Sequence, residues 1–191
     1  PMDVLDHSCS KLGFGGKMCL DGTAKENEET ADDAMTGDNT AWQMDFLSRF
    51  PEIHALNASL LPKQIPVLLV AMQKNRKGHF KELHEAICSH AEAEGLKLIL
   101  YVEHTVDPQD LGTALWRFCN NNDPRRDHHL VQRPSVLQPG KIFSCMGLDG
   151  TRKTKDWDNF QRDWPNIVVA DDATIKAVDG KWESLAIGAF L

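Results

Sequence analysis

The chain has 191 residues, 41% of them hydrophobic, with 21 Lys plus Arg against 28 Asp plus Glu. That is enough for one good-sized domain with a real core, and the net charge of -7 argues against a nucleic acid or an anionic membrane surface as main partner, because phosphate recognition needs a basic field. No apolar run approaches the roughly 20 residues of a membrane-spanning helix. No leader pattern opens the sequence, and the five cysteines are odd in number, scattered and without a CxxC, which reads as reduced thiols in a cytoplasmic protein.

Residues 1–23 are polar and Gly-rich, with Gly13, Gly15, Gly16 and Gly22 close together, and read as a loop with at most a short strand at 17–20. Residues 24–40 hold almost nothing that could bury surface and read as a mobile acidic linker. Seven acidic residues from Asp21 to Asp38 stand against Lys25 alone, so the charge belongs to this segment and the remainder is close to neutral. The rest, 41–191, reads as an α/β domain. A helix is expected after Asp38 or Asn39 as N-cap, with Trp42, Phe46 and Phe50 at helical spacing and Pro51 just beyond. The apolar, β-branched run 65–72 predicts a strand buried on both faces. Residues 78–93 follow as an amphipathic helix with Phe80, Leu83, Ile87, Cys88 and Ala91 inward and Gly95 as its stop. A second buried strand is expected over 96–102, then a helix over 108–119 with Asp107 as N-cap and Pro108 at its first position. Residues 120–140, rich in Asn and Pro, read as a loop. Short strands are expected at 141–144 and 147–149 and a further strand at 166–170. Asp171 or Asp172 caps a last helix through Ile175, Val178 and Trp182. The rhythm is that of an α/β layered sheet.

One segment occurs twice. Met18-Cys19-Leu20-Asp21-Gly22-Thr23-Ala24-Lys25 is echoed by Met146-Gly147-Leu148-Asp149-Gly150-Thr151-Arg152-Lys153. Each copy reads as an apolar strand entering a turn, where Asp accepts backbone N–H bonds and Gly supplies unusual dihedrals. The stretch from Pro1-Met2-Asp3-Val4-Leu5-Asp6-His7 to Gly15-Gly16-Lys17-Met18 and Asp21-Gly22-Thr23 resembles the "P-x-D-x-L-D … G-x-K-M-x-x-D-A-T" stretch of the UbiD decarboxylases. Val102-Glu103-His104-Thr105-Val106-Asp107 with Asp110-Leu111 is similar to that family's "V-D-x-x-V-D-x-x-D" element, and Asp123-Pro124-Arg125-Arg126-Asp127 to its "D-P-x-R-D" loop. Arg162-Asp163-Trp164-Pro165 and Asp171-Asp172-Ala173-Thr174-Ile175 resemble the tail of its longer, quinone-pathway-like members. The resemblance covers 1–25 and about 100–185. Both copies depart from the family by carrying Gly22 and Gly150 where it has Ala.

The resemblance implies the C-terminal region of a longer carboxy-lyase, with a three-layer α/β/α fold on a mixed, largely parallel sheet, preceded by a flexible N-terminal segment. That enzyme would decarboxylate aromatic or α,β-unsaturated acids, here a 4-hydroxybenzoate-type quinone precursor, with prenylated FMN and a divalent, manganese-type metal. Its flavin and metal domain, with a Glu-Arg-Glu catalytic group, is expected upstream, so no catalytic residue and no metal ligand is assigned to this chain. The fragment alone is expected to be inactive. Expected partners are the aromatic acid, the upstream domain of the same polypeptide and further copies in a homo-oligomer. Membrane association is expected only through a prenylated substrate.

The cofactor-binding candidate is Lys17. A lysine on a Gly-rich turn beside free backbone N–H groups suits a phosphate, and the resemblance places a cofactor-contacting Lys there. The aligned position of the second copy is Cys145, so that copy has lost the cation and a structural role is expected for 145–153. His84 and Cys88 stand at i, i+4, a spacing that can serve one metal, but no third ligand is visible and both fall on or beside an apolar face, where core packing is the simpler reading. His128-His129 reads as solvated or capping, and Arg125-Arg126-Asp127 as an ion pair tying down a loop rather than a carboxylate clamp. Asp6 and His7 could exchange protons only with partners that are not in this chain. Trp164, Trp182 and Trp116 read as core anchors, Trp116 alternatively as a subunit contact. A non-catalytic assembly module is the competing function. An autonomous enzyme is disfavoured, since no Walker A, GxGxxG or GxSxG motif is present.

Overall fold

The computed structural model describes residues 40–165, 170–186 and 188. Lys17, the 17–20 strand and the 1–23 and 24–39 segments lie outside the described residues, as does nearly all of the strand expected at 166–170.

Two apolar strands form the centre. β2 (Val67–Met72) and β3 (Leu98–Glu103) pair in parallel with Leu68 opposite Ile99 and Val70 opposite Tyr101. Side chains alternate between faces, so Leu68, Val70, Met72, Ile99 and Tyr101 enter one core and Leu69, Ala71, Leu100 and Val102 the other. This doubly buried pattern requires cover on both sides. α1 (Thr40–Arg49) and α2 (His79–Cys88) supply it on the first face through Phe46, Phe80, Leu83 and Ile87. α3 (Leu111–Asn121) supplies it on the second through Ala114 and Phe118. The expected three-layer α/β/α arrangement is observed.

Three antiparallel or extended features were not foreseen. β1 (Ile53–Asn57) pairs antiparallel with β2 at one edge, with a register shift between Ile53 and Ala55. The stretch expected as a loop over 120–140 contains β4 (His128–Pro134), antiparallel to β5 (Ile142–Gly150) at the other edge. β5 is one continuous strand, not two, and lies parallel to β3, giving the order β1-β2-β3-β5-β4. The three inner strands are parallel and both edges antiparallel, which is the mixed sheet expected. Glu94, buried, pins the β4–β5 tip by accepting from Arg133, from the Ser135 hydroxyl and from the Val136 and Leu137 backbone N–H groups.

Several boundaries also differ. Asp110, not Asp107, caps α3, accepting from the Thr113 N–H at 3.1 Å, while Asp107 receives the Gln109 N–H in the turn before it. The helix expected over 78–93 stops at Cys88 and resumes as a short 3-10 turn, Ala91–Ala93. Asp171 caps α5 (Asp172–Asp179) as anticipated. None of the three tryptophans is a core anchor: Trp116 is 61% exposed, Trp164 packs half-buried on Phe160, and Trp182 is half-buried with its indole N–H donating to Gly188 O. α5 buries no residue, and Ile175 and Val178 stand exposed on it.

A buried charge network at the strand ends

The C-terminal ends of β2 and β5 converge on the second motif copy. Lys74, two residues past β2, is buried and donates to Asp149 Oδ2 at 3.2 Å and to Asp158 Oδ1 at 2.7 Å. Asp158 belongs to α4 (Lys155–Asp158), whose N-cap Thr154 donates its N–H to Asp158 Oδ2. Asp149 Oδ1 accepts from both the N–H and the hydroxyl of Thr151, at 2.9 and 2.6 Å. Lys153, only 2% exposed, folds back to donate to Asp149 O and Thr151 O at 2.8 and 2.7 Å, and lies 3.4 Å from Asp149 Oδ1 and 3.6 Å from Asp127 Oδ2. Asp127 is gripped bidentately by Arg126 at 2.7 Å and accepts the Asp123 N–H. The Arg126 guanidinium also lies over the Phe160 ring.

The charges set one another. Burial pushes the Asp149 carboxyl up, but Lys153, Lys74 and the Thr151 hydrogen bonds outweigh it and hold the group at about 2. Burial lowers Lys74, yet Asp149 and Asp158 raise it above the usual lysine value. Burial wins at Lys153, whose value falls, and at Asp127, whose value rises. Three cations and three carboxylates thus close on one another, and the motif reads as a structural knot in which the pairs offset their own desolvation.

Two glycines let β5 run close to its neighbours. A Cβ at Gly147 would lie 2.7 Å from the His84 ring below the sheet, and one at Gly150 would lie 2.6 Å from Phe118 Cδ2 and 2.8 Å from Tyr101 O above it. β5 is therefore pressed between α2 and α3 at positions where a side chain has no room.

Beside the knot a cleft of about 280 Å³ opens between the start of α2 and α4, lined by Lys74, Lys77, His79, Lys81, Arg126, Asp127, Asp149, Trp157 and Asp158 among others. The cleft is at the small end for an organic ligand; Lys74 and the half-buried Arg126 in its lining are already ion-paired, and Asp127, Asp149 and Asp158 stand there beside Lys77 and Lys81.

The other residues singled out from sequence are dispersed. Arg126 and Asp127 form the expected ion pair. His128 Nδ1 contacts Pro124 O at 2.7 Å, while His129 Nε2 contacts Glu85 at 2.8 Å, so these neighbours point to different elements along β4. His84 and Cys88 are fully buried under the sheet, where Cys145 joins them. The Cys145 thiol, hydrogen-bonded to Cys88, holds the Cys88 thiol well below its usual value, and its own value is driven up. Lys74, Lys153 and Asp149 were not foreseen as a set. Lys74 and Asp149 are brought together only by the parallel stacking of β2, β3 and β5.

Comparison with known proteins gives a consistent neighbourhood. The sequence pattern of the 3-octaprenyl-4-hydroxybenzoate carboxy-lyase C-terminal domain matches residues 36–149. An uncharacterized protein of Aeropyrum pernix is 27% identical over 119 residues, covering 59% of this chain and 24% of that protein. One from Aquifex aeolicus is 28% identical over 123 residues, covering 62% and 25%. This chain thus spans about a quarter of the length of the curated relatives it matches. Among solved structures, the vanillic acid decarboxylase of Sedimentibacter hydroxybenzoicus superposes with a TM-score of 0.57 at 18% identity, covering 76% of this chain and 31% of that one. The UbiD-class enzyme HmfF of Pelotomaculum thermopropionicum, solved with FMN, superposes at 0.53 and 17%, covering 74% and 32%. These two similarities concern the fold.

Proposed function

We propose, from the premise that this chain belongs to the C-terminal domain family of the 3-octaprenyl-4-hydroxybenzoate carboxy-lyases, that it serves a UbiD-like decarboxylase as a non-catalytic domain forming one wall of an active site. The reaction would be the non-oxidative loss of a carboxylate from an aromatic, 4-hydroxybenzoate-type acid in quinone synthesis, in the cytoplasm. The observation that carries the reading is the family match over 36–149 together with the closed state of the charge network, where the buried Lys74 and Lys153 and the half-buried Arg126 are each paired with carboxylates. Chemistry that needs an electron sink would then come from prenylated FMN, with a divalent metal, held mainly by an upstream domain of the same polypeptide.

Lys17 is the residue of this chain proposed to reach that cofactor, as a cation for its phosphate. Replacing Lys17 with Ala in the whole polypeptide should lower the flavin that co-purifies, by a factor on the order of ten if the contact is a charge-assisted hydrogen bond to phosphate. Flavin occupancy equal to that of the unchanged protein would remove Lys17 from the site.

A second reading has its own support. α5 buries nothing, and Ile175, Val178 and Leu185 near the C-terminal end and Leu115 and Trp116 on α3 are exposed apolar side chains. Such faces suit contacts with other subunits or domains, so the domain would act as an assembly module of the larger enzyme, in a homo-oligomer. No helix among the described residues is long and apolar enough to cross a membrane.

A further inference from the structure

Beneath the sheet, on the face covered by α2, four side chains with lone pairs meet in an otherwise apolar core. His84 and Cys88 lie one turn apart on α2, and Cys145 reaches them from β5; their donor atoms all lie within 4.8 Å of one another and all three residues are fully buried. The Tyr101 hydroxyl, also fully buried, lies 3.0 Å from His84 Nδ1. We propose that His84, Cys88, Cys145 and Tyr101 form a closed structural site for one zinc-type divalent cation.

Geometry and donor chemistry both point this way. In a tetrahedral zinc site, bonds of about 2.0 Å to nitrogen and 2.3 Å to sulfur put ligand atoms roughly 3.5 Å apart. The Cys88 sulfur is 3.9 Å from His84 Nδ1 and 3.7 Å from its Nε2, and the Tyr101 oxygen is 3.0 Å from Nδ1, separations near those of atoms sharing one ion. His84 Nε2 contacts the Cys145 carbonyl oxygen at 3.3 Å. Donating there fixes the tautomer that leaves the Nδ1 lone pair on the side of Tyr101, the arrangement usual for a ligating histidine held by a backbone carbonyl. The ring has no freedom to swing towards the sheet, because the β5 backbone at Gly147 passes so close that a Cβ there would lie 2.7 Å from it.

Charge selects the ion. Two thiolates with neutral imidazole and phenol cancel a divalent cation, whereas a monovalent one would leave a net charge in the core. Sulfur and imidazole donors prefer zinc to magnesium, calcium or manganese. On binding, two S–H bonds are exchanged for two metal–sulfur bonds and two protons leave to solvent, with no redox step. The i, i+4 pair on α2 was visible in the sequence. The third donor was not, because Cys145 is separated from Cys88 by a strand, a helix and a hairpin.

The test uses the full chain, refolded with zinc sulfate, freed of excess metal by gel filtration, and in parallel refolded with cobalt(II) chloride. About one equivalent of zinc per chain is expected to remain, and cobalt should give the thiolate charge-transfer and intense visible bands of a tetrahedral sulfur site. Cys88→Ser and Cys145→Ser should each lose that equivalent, while Cys119→Ser, on the exposed surface of α3, should keep it. Substoichiometric zinc in the unchanged chain, or cobalt without the thiolate band, overturns the proposal. So does a mass two hydrogen atoms lighter after purification in air without reductant, dissolved oxygen being the oxidant, if peptide mapping assigns it to a Cys88–Cys145 disulfide. Because the unchanged chain decides these outcomes, variants that fail to fold leave the test intact.

Discussion

Asp149→Ala is expected to destabilise the domain by about 3–5 kcal/mol, because it leaves Lys74 and Lys153 buried beside one another with their shared counter-charge removed. Against the roughly 5–15 kcal/mol that hold a domain of this size, that is a large fraction of the whole. Urea unfolding followed by circular dichroism checks it, and a loss below about 1 kcal/mol would show that the network tolerates an unpaired cation. The same residue predicts an acid limb. Asp149 titrates at about 2 in the fold against 3.8 ordinarily, so its contribution is complete above pH 4 and is lost as pH falls towards 2. The amount lost is on the order of 2 kcal/mol, and Asp149→Asn should flatten that part of the stability profile. Asp127, pushed up by burial, has the opposite sign: its ionisation costs stability as pH rises from the ordinary carboxylate range to its folded value.

The second large effect is expected from Gly150→Ala. A methyl there meets Phe118 Cδ2 at 2.6 Å and, more seriously, the Tyr101 carbonyl oxygen of the neighbouring strand at 2.8 Å. A phenyl ring can turn, but a paired backbone oxygen in a central strand cannot withdraw without breaking the ladder. The expected cost is about 2–3 kcal/mol, in the range of overpacked cores. Alanine is the residue that the resemblance would place at this position, so the substitution asks whether this second motif copy has been refitted around α3. A neutral or stabilising result would mean that Phe118 and β3 adjust freely.

The parts of the fold legible in the sequence were those whose burial is periodic. β2 and β3 are near-continuous apolar runs, and α2 carries Phe80, Leu83 and Ile87 on one stripe, so local pattern and tertiary position agree. β1 was hidden because its register shifts between Ile53 and Ala55, which breaks the alternation. β4 was hidden because an edge strand needs little apolar content: Leu130 is exposed, Val131 only half-buried, and the strand is held by backbone pairing to β5. The misplaced α3 cap reflects two aspartates three residues apart, each able to accept an N–H from the turn after it.

The charge network was illegible for a different reason. Lys74 meets Asp158 across 84 residues and Asp149 across 75, distances that only the strand order brings to zero. The repeated Asp-Gly-Thr-x-Lys pattern did flag the place, since repetition beyond composition implies a local structure worth keeping. It could not say that Lys153 turns inward to its own strand end rather than outward to a ligand.

Turnover of the whole polypeptide, intact and cut after residue 40, addresses the proposed role most directly. Carbon dioxide release from 4-hydroxybenzoate would be followed in cells that supply prenylated FMN, alongside the mass of each species in solution. If residues 41–191 form a wall of the active site, the cut protein should lose turnover even where it remains folded and retains flavin. If the cut protein turns over normally while its oligomer falls apart, the domain is an assembly module and the active-site role is wrong.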